Sequence, residues 1–152
     1  MSTENAEITR VVFTDAGIDD ALALTFIGMV LDGGADHLVC NGGNISAELV
    51  ANNCAYLKEL FGWDARLYAG SNPPGQDGCD ASEVHGRWGL ADRRPPPVEL
   101  PPWEQLQSAL EEADSPLDVL VLGPCTDLPH LLSWPIAARI RNLTVMGGAF
   151  EA

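Results

Sequence analysis

Basic residues are scarce in this sequence: its 152 residues include 8 Lys and Arg against 22 Asp and Glu, and the formal net charge is -14. Such a negative chain repels nucleic-acid backbones and anionic membrane surfaces, which argues against both as partners. The only lysine is Lys58, and the basic residues form no stripe along the chain. A small neutral or cationic ligand, or a metal ion, suits this charge better.

Long apolar runs are also lacking. The longest, residues 21–31, is interrupted by Thr25 and Gly28 and is too short to cross a bilayer. Residues 1–7 are polar and acidic, unlike a signal peptide. We therefore expect a cytoplasmic protein with no membrane partner.

The cysteines are few and widely spaced, with no CxxC pair that would favour a zinc site. This spacing favours core thiols in a reducing compartment over a disulfide framework. The four cysteines are Cys40, Cys54, Cys79 and Cys125.

Apolar residues make up 46% of the chain, which is typical of a globular domain with a core of its own. Short β-branched runs alternate with helical patterns, and this alternation predicts a parallel α/β sheet. We predict strands over residues 8–13, 37–40, 66–68, 117–122 and 142–146. We predict helices over residues 21–31, 46–61, 103–112 and 127–132, with Ser46 as a helix cap and Gly62 as a helix end.

A change of character occurs over residues 71–102, which hold seven of the eleven prolines and predict a long loop. The expected architecture is one domain over residues 1–152: an open, mostly parallel, Rossmann-like sheet flanked by helices. The helix over residues 21–31 is apolar on nearly every side, so we expect it to be covered on several sides.

Three carboxylates follow the first predicted strand within six residues: Asp15, Asp19 and Asp20, with Gly17 between them. Crowded carboxylates repel one another, and a helix dipole or a hard divalent cation would relieve that repulsion. Any one of them has a simpler explanation, because Asp19 fits a helix cap, Asp20 a first helical turn and Asp15 a turn residue. Three together, beside a glycine that permits a tight turn, favour a site.

Parallel sheets bind ligands beyond the carboxyl ends of their strands. Three polar turns lie at such ends in the predicted fold: residues 15–20, 42–44 and 123–127. We therefore expect these turns to meet in space.

Six segments, in order, resemble the motifs of the inosine-uridine preferring nucleoside hydrolase family. The family's opening DxDxGxDD is matched from Phe13 to Asp20, and its Gly-Asn turn by Gly43 and Asn44. The other four segments are Asn52-Asn53-Cys54-Ala55, His85-Gly86-Arg87-Trp88-Gly89, Gly123-Pro124-Cys125-Thr126-Asp127 and Met146-Gly147-Gly148.

The resemblance implies hydrolysis of the N-glycosidic bond of a ribonucleoside to ribose and free base. By that analogy Ca²⁺ is bound by the Asp15 and Asp20 carboxylates and by the Thr126 carbonyl, and Asp15 takes a proton from the attacking water. Asp19 and Asn44 would bind ribose hydroxyls, with His85 near the base. Taken alone, His85 is more often a loop histidine that hydrogen-bonds the backbone, and Asn44 is also typical of a turn residue or a helix cap.

The chain departs from the family pattern in two residues and in length. Phe13 stands where the motif has its first aspartate, and Asp127 where it has asparagine. Family members are about twice as long, so the resemblance covers their amino-terminal half and the chain looks truncated. We expect an incomplete metal site and an apolar face that needs a cover, so the chain would be a gene fragment, a homo-oligomer, or half of a complex with a complementing chain.

Two other functions are alternatives to nucleoside hydrolysis. One is a non-catalytic ribose or nucleoside binder. The other is phosphoryl chemistry, since aspartates after a first strand also occur in receiver domains and aspartate-based phosphatases. The second is disfavoured because Asp15 is followed by Ala16 and Gly17, without the phosphatase's second aspartate, and Lys58 lies inside a helix.

Overall fold

One sheet of five parallel strands organises the chain, and its strand order is β3-β2-β1-β4-β5. The computed structural model describes residues 8–31, 34–75 and 81–148. The strands are β1 Thr9–Thr14, β2 His37–Cys40, β3 Arg66–Ala69, β4 Leu117–Val121 and β5 Ile140–Val145. The helices are α1 Ile18–Val30, α2 Ala47–Phe61, α3 Ser82–His85, α4 Gln105–Ala113 and α5 Leu128–Ser133, with a 3₁₀ helix over Pro135–Arg139. The predicted α/β class and parallel sheet are confirmed.

The order of the strands reverses beside β1. The chain first builds outward through β2 and β3, then returns to add β4 and β5 on the other side. Such a reversal opens a crevice at the carboxyl ends of the two central strands, where open α/β sheets bind ligands. In this protein those strands are β1 and β4.

Both ends of α2 follow their sequence signals. The Ser46 hydroxyl accepts a hydrogen bond from the Leu49 amide at 3.4 Å, and Gly62 ends the helix in a left-handed conformation with φ of 68°. Helix α1, in contrast, begins three residues earlier than predicted. Gly17 is its extended cap residue, so Asp19 lies in the first turn and is not the cap.

Two apolar clusters fill the two faces of the sheet. Val11 and Phe13 belong to the cluster with α4 and α5, while Val12 belongs to the cluster with α1 and α2. This alternation is the two-residue period of a strand buried on both sides. It orients Thr14, at the end of β1, toward the α1 side.

The proline-rich segment is largely irregular, as predicted, in its described parts, residues 71–75 and 81–102. Helix α3 is a single turn that the sequence patterns did not predict. Pro102 bridges to Ala69 and extends the edge of β3. The remainder of that predicted loop, residues 76–80 with Cys79, lies outside the described residues, as does Gly33 of the turn after α1.

The outer side of α1 is exposed, although its apolar character predicts a cover. Leu22, Phe26 and Met29 are 69%, 65% and 80% exposed. The edge strand β5 also leaves Leu143 and Val145 partly open to solvent. No helix in the described ranges has the length and apolar character that crossing a bilayer requires.

Candidate active site

The three polar turns meet at the carboxyl edge of the sheet, as predicted. The Asn44 amide donates a hydrogen bond to Asp15 Oδ2 at 2.9 Å, which joins the turn after β2 to the turn after β1. A methyl group on Gly43 would lie 2.1 Å from that same oxygen, and one on Gly123 would lie 2.9 Å from the Asp15 amide nitrogen. Glycine is required at both positions because Asp15 lies this close to both turns.

Asp20 is held by its own turn. Its side chain is 2% exposed, and Oδ2 accepts hydrogen bonds from the Thr14 hydroxyl at 2.5 Å, the Asp15 amide at 3.0 Å and the Ala16 amide at 3.1 Å. A carboxylate oxygen with three donors is fixed in orientation. Asp20 thus closes the turn between β1 and α1 and brings a buried negative charge to it.

Asp15 lies beside Asp20 and has far less compensation for its charge. Burial, first of all, and the nearby charges of Asp20 and Asp19 together raise the pKa of the Asp15 carboxyl from 3.8 to about 7, against the lowering effect of the hydrogen bond from the Asn44 amide. Two buried carboxylates that share only neutral hydrogen-bond donors form an electrostatically strained pair. A cation between or beside them would relieve that strain.

Asp19, Asn44 and His85 surround Gly17. A methyl group on this glycine would lie 2.7 Å from Asn44 Nδ2, 2.8 Å from His85 Nδ1 and 2.9 Å from Asp19 Oδ1. The structure therefore brings together three of the residues that the resemblance assigns to substrate binding. They form a polar rim next to the buried Asp15–Asp20 pair.

His85 has a defined tautomer in this arrangement. The Ile18 amide donates to His85 Nδ1 at 3.1 Å, so Nδ1 carries no proton and the ring's N–H is at Nε2. Asp19 Oδ1 lies 3.7 Å from the same Nδ1, too far for a hydrogen bond. His85 is therefore fixed to the start of α1 by its backbone contact and not by the aspartate.

Thr126 is half-buried in the turn between β4 and α5. Gly123 of the same turn touches Asp15, but none of the contacts described for Thr126 reaches Asp15 or Asp20. The role expected for its carbonyl remains a prediction.

The two departures from the family motif have different surroundings. Phe13 is 1% exposed and packs in the apolar cluster on the α4 and α5 side of the sheet. Asp127 is 2% exposed, and its Oδ2 accepts hydrogen bonds from Asn41 Nδ2 at 2.7 Å and from the Ser71 amide at 2.8 Å. Asp127 thereby ties together the ends of β2, β3 and β4.

Several residues of the site escaped sequence reasoning. Thr14 holds Asp20, Asn41 holds Asp127, and Asn53 Nδ2 donates to the carbonyls of Ala16 at 3.3 Å and Trp88 at 2.8 Å. Polarity at positions where strand or helix patterns expect apolar residues was one signal, and for Thr14 and Asn53 their place in the matched family motifs was another. The Oδ1 atoms of Asn41 and Asn53 are buried without a hydrogen-bond partner among the described residues.

The donor set at the site is composed of oxygen atoms. Within the described ranges, no group of three or more His, Cys, Asp or Glu side chains is arranged to hold a metal ion. The carboxylates of Asp15 and Asp20 are two such oxygen ligands, so a hard cation would need backbone carbonyls, water or another chain to complete its shell. The chemistry of the pair fits Ca²⁺ or Mg²⁺ and disfavours softer metals.

A cavity of about 530 Å³ lies at the opposite, amino-terminal edge of the sheet, between residues such as Asp36, His37, Arg66 and Ser115. Parallel sheets do not usually bind ligands at this edge. Buried charge, and not cavity volume, marks the carboxyl edge as the candidate site.

Comparison with known proteins points in the same direction. Residues 11–152 match the family model described as "Inosine-uridine preferring nucleoside hydrolase". The chain is 30% identical over 144 residues to the non-specific ribonucleoside hydrolase RihC of Escherichia coli O1:K1, which covers 90% of this chain and 47% of that protein. The chain thus spans about half the length of the curated relatives it matches.

Solved structures share the fold. A purine-preferring ribonucleoside hydrolase from Gardnerella vaginalis matches with a TM-score of 0.76 at 20% identity, over 94% of this chain and 49% of that one. A plant nucleoside hydrolase matches with a TM-score of 0.74 at 24% identity, over 94% and 48% of the two chains. These likenesses extend over almost all of the chain.

Proposed function

The chain belongs to the inosine-uridine preferring nucleoside hydrolase family, and on that premise we propose that it carries the metal-binding and ribose-binding part of an N-ribohydrolase. The reaction is hydrolysis of the bond between the ribose and the base of a ribonucleoside. The name of the Escherichia coli relative, a non-specific ribonucleoside hydrolase, agrees with this substrate class.

The observation that carries the proposal is the buried pair of Asp15 and Asp20 at the switch point of the sheet. They are 6% and 2% exposed, and Asp15 is crowded by Gly43 and Gly123. Burying two adjacent carboxylates destabilises a domain, so their retention at this edge argues for a function that needs their charge.

Asp15 and Asp20 are the residues that would hold a divalent cation, with the Thr126 carbonyl as a third ligand. Bound there, Ca²⁺ would supply the positive charge that lowers the pKa of a water molecule and orients it. Asp20 needs no movement for this role, because three hydrogen bonds already fix its carboxylate.

Asp15 is the proton acceptor of the proposed reaction. Burial and the neighbouring aspartates raise the pKa of this carboxyl to about 7, and a divalent cation beside it would lower that pKa again, so that Asp15 would be ionised and able to accept a proton from water at neutral pH. As the base departs, positive charge develops on the ribose ring, and the carboxylates of Asp15, Asp19 and Asp20 favour that charge. The same electrostatic feature thus serves both the water and the sugar.

Asp19 and Asn44 bind ribose hydroxyls in this proposal. Asp19 is an exposed acceptor, and Asn44 offers an amide that both donates and accepts hydrogen bonds. His85, whose Nδ1 is occupied by the Ile18 amide, presents Nε2–H toward the base side. Its proton could serve base recognition or the departing base.

The chain needs a cover for the exposed side of α1 and for the edge strand β5. We propose a homo-oligomer or a complementing chain as that cover, because isolated apolar faces of this kind promote association. A reducing cytoplasm suits the buried thiols of Cys40 and Cys54.

Base release and calcium binding test the proposal together. Purified chain is incubated with inosine or uridine and Ca²⁺, free base is measured by chromatography, and the melting temperature is recorded with and without Ca²⁺. Asp20→Asn should abolish both signals, whereas Asp64→Asn, at the opposite edge, should retain them.

The outcomes separate the alternatives. Calcium-dependent base release supports an N-ribohydrolase. Nucleoside binding without release over hours at high protein concentration supports the non-catalytic binder instead. The proposal is overturned if saturating Ca²⁺ leaves the melting temperature unchanged and the chain also fails to bind nucleosides.

A further inference from the structure

Three of the chain's eight basic residues gather in one short stretch of loop beside the candidate active site. The guanidinium carbons of Arg87 and Arg94 lie 5.0 Å and 4.5 Å from the centroid of the Trp88 ring. That of Arg93 lies 5.4 Å from the ring of Tyr56. We call Arg87, Arg93 and Arg94 the arginine cluster.

The arginine cluster has no carboxylate partner within the described ranges, although the whole chain holds 22 acidic residues. Elsewhere an arginine does find one: Arg139 pairs with Asp114 at 3.3 Å. Stacking on an aromatic ring uses the face of a guanidinium and leaves the N–H groups at its edge free to donate. With respect to the residues that the structure describes, the exposed arginine cluster therefore has N–H donors without a carboxylate partner.

Side-chain contacts of Asn53 and His85 hold the loop that carries the arginine cluster next to the turn after β1. Asn53 Nδ2 donates to the Trp88 carbonyl and also to the Ala16 carbonyl, so one amide joins the arginine loop to the turn after β1. His85, which lies two residues before Arg87 in the chain, accepts a hydrogen bond at Nδ1 from the Ile18 amide. The loop that carries Arg87, Arg93 and Arg94 therefore adjoins Gly17, which Asp19, Asn44 and His85 surround.

We propose that the arginine cluster binds a phosphate group of the substrate, so that the chain prefers a phosphorylated nucleoside over the free nucleoside. This inference rests on the proposed function. Guanidinium edges match the oxygens of a phosphate and make charge-assisted hydrogen bonds to them. In a chain with a net charge of -14, a phosphate ester needs such a local concentration of positive charge to approach the carboxylates at all.

Calorimetric titration tests the proposal with the full chain in the presence of Ca²⁺. The ligands are inosine, inosine 5′-monophosphate and inorganic phosphate. We expect the monophosphate to bind about tenfold more tightly than inosine, and the ratio to fall toward one in the double variant Arg87→Gln, Arg94→Gln. The matched control Arg141→Gln removes an exposed arginine at the far edge strand and should keep the ratio.

Each result bears on one of the two proposals or on both. Equal affinities for inosine and its monophosphate overturn the phosphate preference and leave the nucleoside site standing. A ratio that survives loss of Arg87 and Arg94, or a short RNA that binds more tightly than the mononucleotide, also overturns the preference. If phosphate binds while inosine does not, and Asp15→Asn changes nothing, the proposed function fails and the substrate assignment fails with it.

Discussion

The two edges of the sheet carry acidic residues in opposite ways. At the carboxyl edge Asp15, Asp20 and Asp127 are buried and hydrogen-bonded, and Gly43 and Gly123 lie against Asp15. At the amino edge Asp36, Asp64, Glu112 and Asp114 line a wide cavity and are all exposed. The cavity of about 530 Å³ thus lies at the edge where water can solvate the acidic side chains.

This difference separates a surface from a candidate site. An exposed carboxylate gains little from its neighbours because water and salt screen it. A buried carboxylate destabilises the fold until a proton, a hydrogen-bond donor or a cation compensates its charge. The carboxyl edge should therefore respond strongly to pH, cations and neutral substitutions, whereas the amino edge should respond weakly.

Asp15→Asn should have the largest effect on stability. The Asp15 carboxyl titrates near 7 in the folded chain and near 3.8 when unfolded, so the folded chain binds more protons between these values and the wild type loses stability as pH rises. Asparagine does not titrate and removes that loss. Above pH 7 the free energy of unfolding of the variant should therefore exceed that of the wild type by at most about 4 kcal/mol. The measurement is urea unfolding with a chelator present, from pH 4 to pH 8.

The stabilisation by Asp15→Asn should shrink toward zero near pH 4, where both proteins carry a neutral group at this position. Asp64→Asn provides the control at the amino edge and should run parallel to the wild type. Parallel curves for Asp15→Asn as well would mean that Asp15 is solvated and that the contrast between the edges is wrong.

Calcium should produce the next largest change. At a free concentration one hundred times its dissociation constant, a ligand that binds only the folded state adds about 2.7 kcal/mol. For a chain of this length that corresponds to a rise of roughly 5–10 °C in melting temperature. Differential scanning calorimetry at pH 7.5 measures it, and Asp15→Asn should abolish the rise.

Gly43→Ala should disrupt the candidate site at the carboxyl edge without replacing any carboxylate. The new methyl group would lie 2.1 Å from Asp15 Oδ2 and 2.7 Å from its Cβ, so Asp15 must move. Overpacking of this kind costs about 1–3 kcal/mol of unfolding free energy. Gly62→Ala is the comparison, because it strains the backbone at φ of 68° but meets no atom within 4 Å. Only Gly43→Ala should also lose the response to Ca²⁺.

His37→Gln should give the smallest effect, and its sign is opposite to that of Asp15. Burial lowers the pKa of His37 below 6.5, helped by Arg66 and opposed by Asp36. The unfolded chain therefore binds more protons in acid, and the wild type loses stability as pH falls through 6.5. Glutamine keeps a partner for the Tyr68 hydroxyl, 3.2 Å from His37 Nδ1, without a titrating group. Urea unfolding at pH 5 and pH 7.5 should show the variant relatively more stable in acid.

Much of the fold was predictable because its signals are local. The strand His37–Cys40 and the helix Ala47–Phe61 with its cap at Ser46 follow hydrophobic period and capping chemistry, and they occur as predicted. The predicted start of α1 was wrong by three residues because the apolar run begins only at Ala21, whereas Gly17, in an extended conformation, caps a helix that begins at Ile18. Helix α3 was missed because a single turn has no period to detect.

The sequence by itself predicted the class of fold, the position of the acidic turn after the first strand and the meeting of three turns at one edge of the sheet. These follow from strand period, turn chemistry and the rule that parallel strands end at one edge. The tertiary structure decided the rest. The Thr14 hydroxyl holds the Asp20 carboxylate, and the Asn53 side chain joins the arginine loop to the site. Asp15 is the carboxylate whose pKa is raised by burial and by its acidic neighbours. Burial and contacts between distant segments set those properties, and neither can be read from the spacing of residues in one chain.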